Sequence, residues 1–179
     1  MSEASDGGKP AGVRRVAQGA QFEFVTETVD LPNGRRAELD MLRHPGASAV
    51  VPFTASGRVV LVRQHRHATG GDLLEIPAGK LDPGESPEAC AVRELAEETG
   101  YRAGRIEKLG AIWTSPGFTD EVIHLYAAYD LRPGPQRLDP DEVIALVEMD
   151  FDALVDGLGE GIVDGKSATA LLLAARRLG

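Results

Sequence analysis

Apolar and polar residues alternate with a period of two over residues 21–29 (QFEFVTETV), the pattern of a strand buried on one face. Pro32-Asn33-Gly34 then signals a turn, and residues 35–43 read as the returning strand of a hairpin. Short apolar runs at 47–53 and 58–64, joined around Ser56-Gly57, predict two more strands. Further strands are expected at 111–115, 122–129 and 144–148, with helices at 151–158 and 167–177. Strands interrupted by a central helix and closed by a C-terminal one predict an α/β fold, an α/β/α sandwich with a mixed sheet and an N-terminal β-hairpin. Residues 1–18 are small and polar and read as a disordered leader, leaving 19–179 as one domain. No internal repeat or linker interrupts it, and the Pro-rich stretch 132–140 reads as a surface loop.

The central helix is bracketed by its own end signals. Ser86 suits the N-cap, Pro87 the first helical position and Gly100 the left-handed residue that ends a helix. At 100° per residue, Glu94, Glu97 and Glu98 fall on one face. Ala89, Ala91, Val92, Leu95 and Ala96 fall mostly on the other, which is expected to pack on the core. Arg93 lies one turn before Glu97, within reach of an ion pair. Glu94 and Glu98 are like charges at i, i+4, an arrangement that costs roughly 0.2–0.5 kcal/mol on an exposed helix and more on a buried one. A divalent cation turns that repulsion into coordination, because hard oxygens clustered on a rigid element are its preferred ligands. Taken alone, three glutamates on a helix also describe an ordinary solvated face.

The spacing is more specific than the composition. Gly79, five residues, Glu85, seven residues, Arg93-Glu94-Leu95, one residue, Glu97-Glu98, one residue and Gly100-Tyr101 resembles the Nudix box at each defined position. The Nudix hydrolases cleave a nucleoside diphosphate linked to another group. The resemblance implies their α/β/α sandwich. It also implies that Glu94 and Glu98 are the main metal ligands, that Glu97 joins them or acts as base, and that the Ala78 carbonyl is a further ligand.

Charge at first sight conflicts with that reading. The net charge of −9 argues against nucleic acid as a partner, and it is an odd match to an anionic substrate. Bound Mg²⁺, with Mn²⁺ as an alternative, supplies the local positive centre that resolves the conflict. One cysteine, Cys90, implies no disulfide framework and reads as a small packing residue. No apolar segment is long enough to span a bilayer and no secretory signal is visible, so a soluble, cytoplasmic protein is expected.

Three segments outside the box narrow the substrate. Ser115-Pro116-Gly117-Phe118-Thr119-Asp120-Glu121, with its proline sixteen residues beyond Gly100, resembles the ADP-ribose pyrophosphatase branch of the family. The resemblance implies that Gly117 and Phe118 meet the terminal ribose and phosphate and that Glu121 lies near the site. A tight turn between strands is the plain alternative. In Leu61-Val62-Arg63-Gln64-His65-Arg66, the resemblance implies that the second arginine, Arg66, contacts a phosphate, for which its forked donors are suited. In Asp139-Pro140-Asp141-Glu142, the resemblance implies a catalytic base on a mobile loop, Glu142 or, failing it, Asp141. The resemblance implies that the N-terminal strands pair with a second subunit in a homodimer, with Arg36 contacting substrate across it and Phe22 or Phe24 stacking on the base. Both phenylalanines suit a core face equally well.

The expected reaction is metal-assisted hydrolysis of ADP-ribose to AMP and ribose 5-phosphate, with Glu142 or Glu97 as base. Other nucleoside diphosphate sugars, such as GDP-mannose, fit the same diphosphate chemistry. A non-catalytic nucleotide-binding module is the remaining alternative, and the full set of box carboxylates speaks against it.

Overall fold

Two units make up the computed structural model, which describes residues 10–19, 22–140 and 142–178. One contains the chain up to His44 together with Ser115–Glu121, the other Pro45–Thr114 and the chain from Val122 onward.

The first unit is an antiparallel meander, β1 (Gly12–Gln18), β2 (Glu23–Asp30) and β3 (Arg36–Arg43), in that spatial order. The expected hairpin is β2–β3, closed by a turn with Gly34 at φ 78° and the Asn33 side chain accepting from Arg35 N–H at 3.0 Å. Strand β1 departs from the expected leader, since its residues pair along β2 with a bulge between Arg15 and Ala17. It is exposed throughout, so no hydrophobic alternation marks it. Ladder hydrogen bonds hold it, together with an Arg15–Glu23 ion pair and Arg14 donating to Thr26 at 3.2 Å. Residues 1–9 lie outside the described residues. Segment 115–121 joins β3 through Leu42 N–H donating to the Phe118 carbonyl at 2.7 Å. Asp120 receives Arg43 at 2.7 Å and His44 N–H at 2.8 Å.

The second unit is built on β4 (Ala47–Pro52), β5 (Arg58–Arg66), β6 (Gly71–Glu75), β7 (Ala78–Lys80), α1 (Pro87–Thr99), β8 (Tyr101–Arg102), β9 (Arg105–Trp113), β10 (Val122–Tyr129), β11 (Arg132–Pro133), β12 (Ile144–Asp150), α2 (Phe151–Asp156) and α3 (Gly165–Leu178). A mixed sheet runs β7-β4-β10-β9, with β4 and β10 parallel. A second, antiparallel sheet runs β12-β5-β6, and β8 pairs with β11.

Side chains alternate across the mixed sheet and place helices on both faces. Ala47, Ala49 and Val51 of β4 and Ile123, Leu125 and Ala127 of β10 join Ala170, Leu171 and Ala174 of α3 in one cluster. Val50, Tyr126 and Ala128, one step out of phase, meet Ala91 and Leu95 of α1 on the opposite face. The three-layer order is therefore the period of two read through the sheet. Ser48, buried on the α1 side, donates to the Pro87 carbonyl at 2.7 Å and fixes the start of that helix. Among the described residues no helix is long and apolar enough to cross a membrane.

Leu125 is fully buried in the centre of the larger cluster. Leu125→Ala is expected to cost ~2–5 kcal/mol of unfolding free energy by chemical denaturation. A loss below about 1 kcal/mol would show that this cluster is not the stabilising core.

Candidate active site

The helix that carries the box begins and ends as its sequence requires. The Ser86 side chain accepts from Ala89 N–H at 3.2 Å, Pro87 occupies the first turn, and Gly100 takes φ 73° while its N–H reaches the Ala96 carbonyl at 3.0 Å.

The buried face differs from the expected one. Ala91, Glu94, Leu95 and Glu98 are all buried, whereas Val92 and Ala89 are exposed. These four positions stand at i, i+3, i+4 and i+7, a single helical stripe that includes two carboxylates. The glutamate face and the core-packing face, expected to lie opposite each other, thus overlap at Glu94 and Glu98.

Each buried carboxylate meets strand β7. Glu98 accepts from Ala78 N–H at 3.0 Å. Glu94 lies so close to Gly79 that a β-carbon there would sit 1.9 Å from one carboxylate oxygen. Glycine at this point is thus a steric requirement of the acid beside it. Burial raises the pKa of Glu94, and it pushes Glu98 up to about 8. In both cases the negative charge of Glu142 adds to the rise, while the cation of Arg66 opposes it at Glu98.

Arg93 organises the remaining acids. Its guanidinium reaches Glu85 at 2.9 and 2.8 Å, Glu94 at 2.6 Å, Glu97 at 3.0 Å and the Lys80 carbonyl at 3.0 Å. The hydrogen bond from Arg93 holds the Glu85 carboxyl down at about 2. The expected Arg93–Glu97 pair is present as one contact of four-acid chemistry shared with Glu85, Glu94 and, more distantly at 3.8 Å, Asp82. Cys90 is buried among these groups, its thiol pushed up to about 11 by burial, as suits a packing residue rather than a nucleophile.

The Pro-rich stretch is docked on the helix. Arg137 N–H donates to the Glu97 carbonyl at 2.9 Å, and the Gln136 side chain donates to the Glu98 carbonyl. Gly100 and Gly134 lie close together, so a β-carbon on Gly100 would meet the Gly134 carbonyl at 2.5 Å. The last carbonyls of α1, which no helical partner satisfies, are what anchor the loop leading to Glu142. Glu142 closes its own turn, its carboxylate accepting from Asp139 N–H at 2.9 Å. Asp141 lies outside the described residues.

Ala78, Glu94, Glu97, Glu98, Arg66 and Glu142 all belong to the second unit. Arg66 is already engaged there, donating to Glu75 at 2.7 and 2.9 Å. Glu75, buried in an otherwise apolar stretch, was not singled out from the sequence, although a charge within LLEIP is itself a signal. Arg36, Gly117, Phe118 and Glu121 belong to the first unit. Arg36 is exposed and paired with Asp30 at 2.8 Å, Phe118 is exposed, and Gly117 has open space where a β-carbon would stand. Glu121 faces His44 at 3.3 Å, and Phe22 stacks on the same imidazole with ring centroids 5.2 Å apart. Phe24 is exposed, so neither phenylalanine is a core residue.

Among the described residues no three carboxylate, imidazole or thiol groups converge as a closed metal cage. Arg93 holds Glu94 and Glu97, and Ala78 holds Glu98. The donor set nevertheless fits a hard divalent cation. It offers oxygen ligands only, two of them buried carboxylates whose charge is disfavoured without a counter-ion. Gly79→Ala is expected to displace the Glu94 carboxylate while leaving the fold stable, since only the end of a flexible side chain must move. Calorimetric titration with Mn²⁺ should then show at least tenfold weaker binding, with a melting temperature near that of the unaltered protein. Unchanged Mn²⁺ affinity would remove Glu94 from the ligand set.

Comparison with known proteins gives the family. A NUDIX domain is matched over residues 42–169. The chain is 39% identical over 166 residues to an ADP-ribose pyrophosphatase of Bacillus subtilis, covering 91% of this chain and 90% of that protein. It is equally similar, with the same coverage, to a methanol dehydrogenase activator of Bacillus methanolicus. A GDP-mannose pyrophosphatase of Yersinia pestis is 36% identical over 169 residues, covering 86% of this chain and 84% of that protein. The crystal structure of an ADP compounds hydrolase superposes with a TM-score of 0.80 at 24% identity, covering 95% of this chain and 93% of that one, a likeness of fold. Members of this family generally need divalent metal ions. With the box intact on its helix, and with relatives matched over nine-tenths of their length, the chain belongs to the Nudix hydrolase family.

Proposed function

We propose that this protein hydrolyses the diphosphate of ADP-ribose to AMP and ribose 5-phosphate with the help of Mg²⁺, Mn²⁺ being able to replace it. The observation that carries this reading is electrostatic: the charge of Glu142 bears on both buried carboxylates, Glu94 and Glu98, and that of Arg66 bears on Glu98. An acid on a docked loop, a forked cation and two disfavoured carboxylates thus share one locality.

Glu94, Glu97, Glu98 and the Ala78 carbonyl would hold the metal. When bound, the cations offset the diphosphate charge and acidify the attacking water. Glu142 takes the proton of that water, with Glu97, which is half-exposed at the rim, as the alternative base. Arg66 binds a phosphate oxygen and meets negative charge as it spreads in the transition state. Gly117, Phe118 and Glu121 serve the terminal ribose end, and Arg36 reaches substrate across a homodimer formed by the N-terminal strands. The setting is the cytoplasm. The preference for ADP-ribose draws on the Bacillus subtilis relative and on the Ser115–Glu121 segment. The Yersinia relative favours GDP-mannose as the second reading, with the same diphosphate chemistry and different base and sugar contacts.

Release of the nucleoside monophosphate from ADP-ribose, GDP-mannose, UDP-glucose and nucleoside triphosphates, with Mg²⁺ and with EDTA, tests the substrate. ADP-ribose is expected to be preferred and the activity to vanish in EDTA. A preference for GDP-mannose would replace the first reading with the second. Glu142→Gln is expected to lower kcat by roughly 10²–10⁴-fold with little change in KM, and Glu97→Gln by much less. The reverse order, with the Mg²⁺ dependence unchanged in Glu97→Gln, would make Glu97 the base.

A further inference from the structure

We propose that Glu75 and Lys166 are positioning residues that set the Arg66 guanidinium for the substrate diphosphate. The inference rests on the reading of Arg66 as a phosphate contact.

Glu75 divides its two oxygens between two cations. Oε2 accepts from Nε and Nη2 of Arg66 at 2.9 and 2.7 Å, and Oε1 meets Lys166 Nζ at 3.0 Å. Nε and Nη2 form one edge of the planar guanidinium. The opposite edge, carried by Nη1, makes no hydrogen bond among the described residues. Glu75 therefore fixes the rotation of the fork and leaves its outer edge for a phosphate.

Lys166 is supplied by the helix on the far face of the mixed sheet. Asp164, just ahead of α3, accepts from Lys166 Nζ at 2.9 Å, from Ser167 N–H at 3.0 Å and from Ser167 Oγ at 2.6 Å. Ser167 Oγ in turn accepts from Ile76 N–H at 2.9 Å. The first turn of α3 thus grips Glu75 and Ile76 together, and these residues lead directly into Ala78. Without Lys166, Arg66 would be the only cation on the Glu75 carboxylate, and its charge would be largely cancelled there.

Stability alone gives little reason for this arrangement. Ser167 already ties α3 to Ile76, and Val50 N–H holds the Pro77 carbonyl at 3.0 Å. A buried ion pair is commonly matched or bettered in stability by apolar residues of the same volume. What apolar residues cannot do is orient a guanidinium.

The test is a double-mutant cycle read by binding of a non-hydrolysable methylene analogue of ADP-ribose, in parallel with kcat and KM for ADP-ribose. Glu75→Gln and Lys166→Gln are each expected to weaken analogue binding roughly tenfold in the otherwise unaltered protein and less than about twofold once Arg66 is alanine. The second variant keeps the test decisive if the first fails to fold. Equal losses with and without Arg66, or no loss while Arg66→Ala weakens binding, would overturn the proposal alone. If Arg66→Ala itself leaves binding unchanged, the phosphate reading falls and the proposal falls with it.

Discussion

Two like charges, Glu94 and Glu98, are buried one helical turn apart, and much of the second unit can be understood as the consequence. Burial disfavours a carboxylate's charge, and a second carboxylate nearby disfavours it further. The protein meets part of that cost with Arg93 on Glu94 and the Ala78 N–H on Glu98. The remainder is the reason to expect a cation. Gly79 belongs to the same solution, because any side chain there would occupy the space of the Glu94 carboxylate.

The strand end that receives these acids is held residue by residue. Glu75 is gripped by Arg66 and Lys166, Ile76 by Ser167, Pro77 by Val50 and Ala78 by Glu98. The partners come from both faces of the mixed sheet, so the site draws its rigidity from all three layers. The opposite end of α1 does a different task. Its unsatisfied carbonyls recruit Gln136 and Arg137 and so anchor the loop that leads to Glu142. A helix whose last carbonyls also hold a distant loop couples the metal-binding candidates to the base candidate.

What was legible in the sequence followed from local rules. Ser86, Pro87 and Gly100 bracketed α1 because caps act within a few residues of themselves. Strand β10 was marked over its full length, Val122–Tyr129, because both faces are covered and an apolar run results. Strand β1 was not legible, since it is exposed on both faces and held by backbone pairing and Arg15–Glu23. The buried face of α1 is only partly legible, because Glu94 and Glu98 share the stripe of Ala91 and Leu95 instead of standing opposite it. The box acids and Arg66 could be named from spacing and resemblance. Lys166 and Gln136 could not, because Glu75 and the Glu98 carbonyl, which they meet, are far away in sequence and only the fold brings them together.

The central claim is that the buried carboxylates need a divalent cation, and thermal unfolding against Mg²⁺ concentration tests it most directly. A ligand that binds only the folded state at about 100 times its Kd stabilises by ~2.7 kcal/mol, which is roughly 5–10 °C in a domain of this size. The account predicts such a rise with Mg²⁺ or Mn²⁺, none with Na⁺ at matched ionic strength, and its loss when Glu94 and Glu98 are both glutamine. A melting temperature indifferent to Mg²⁺, or raised equally in that double variant, would contradict it.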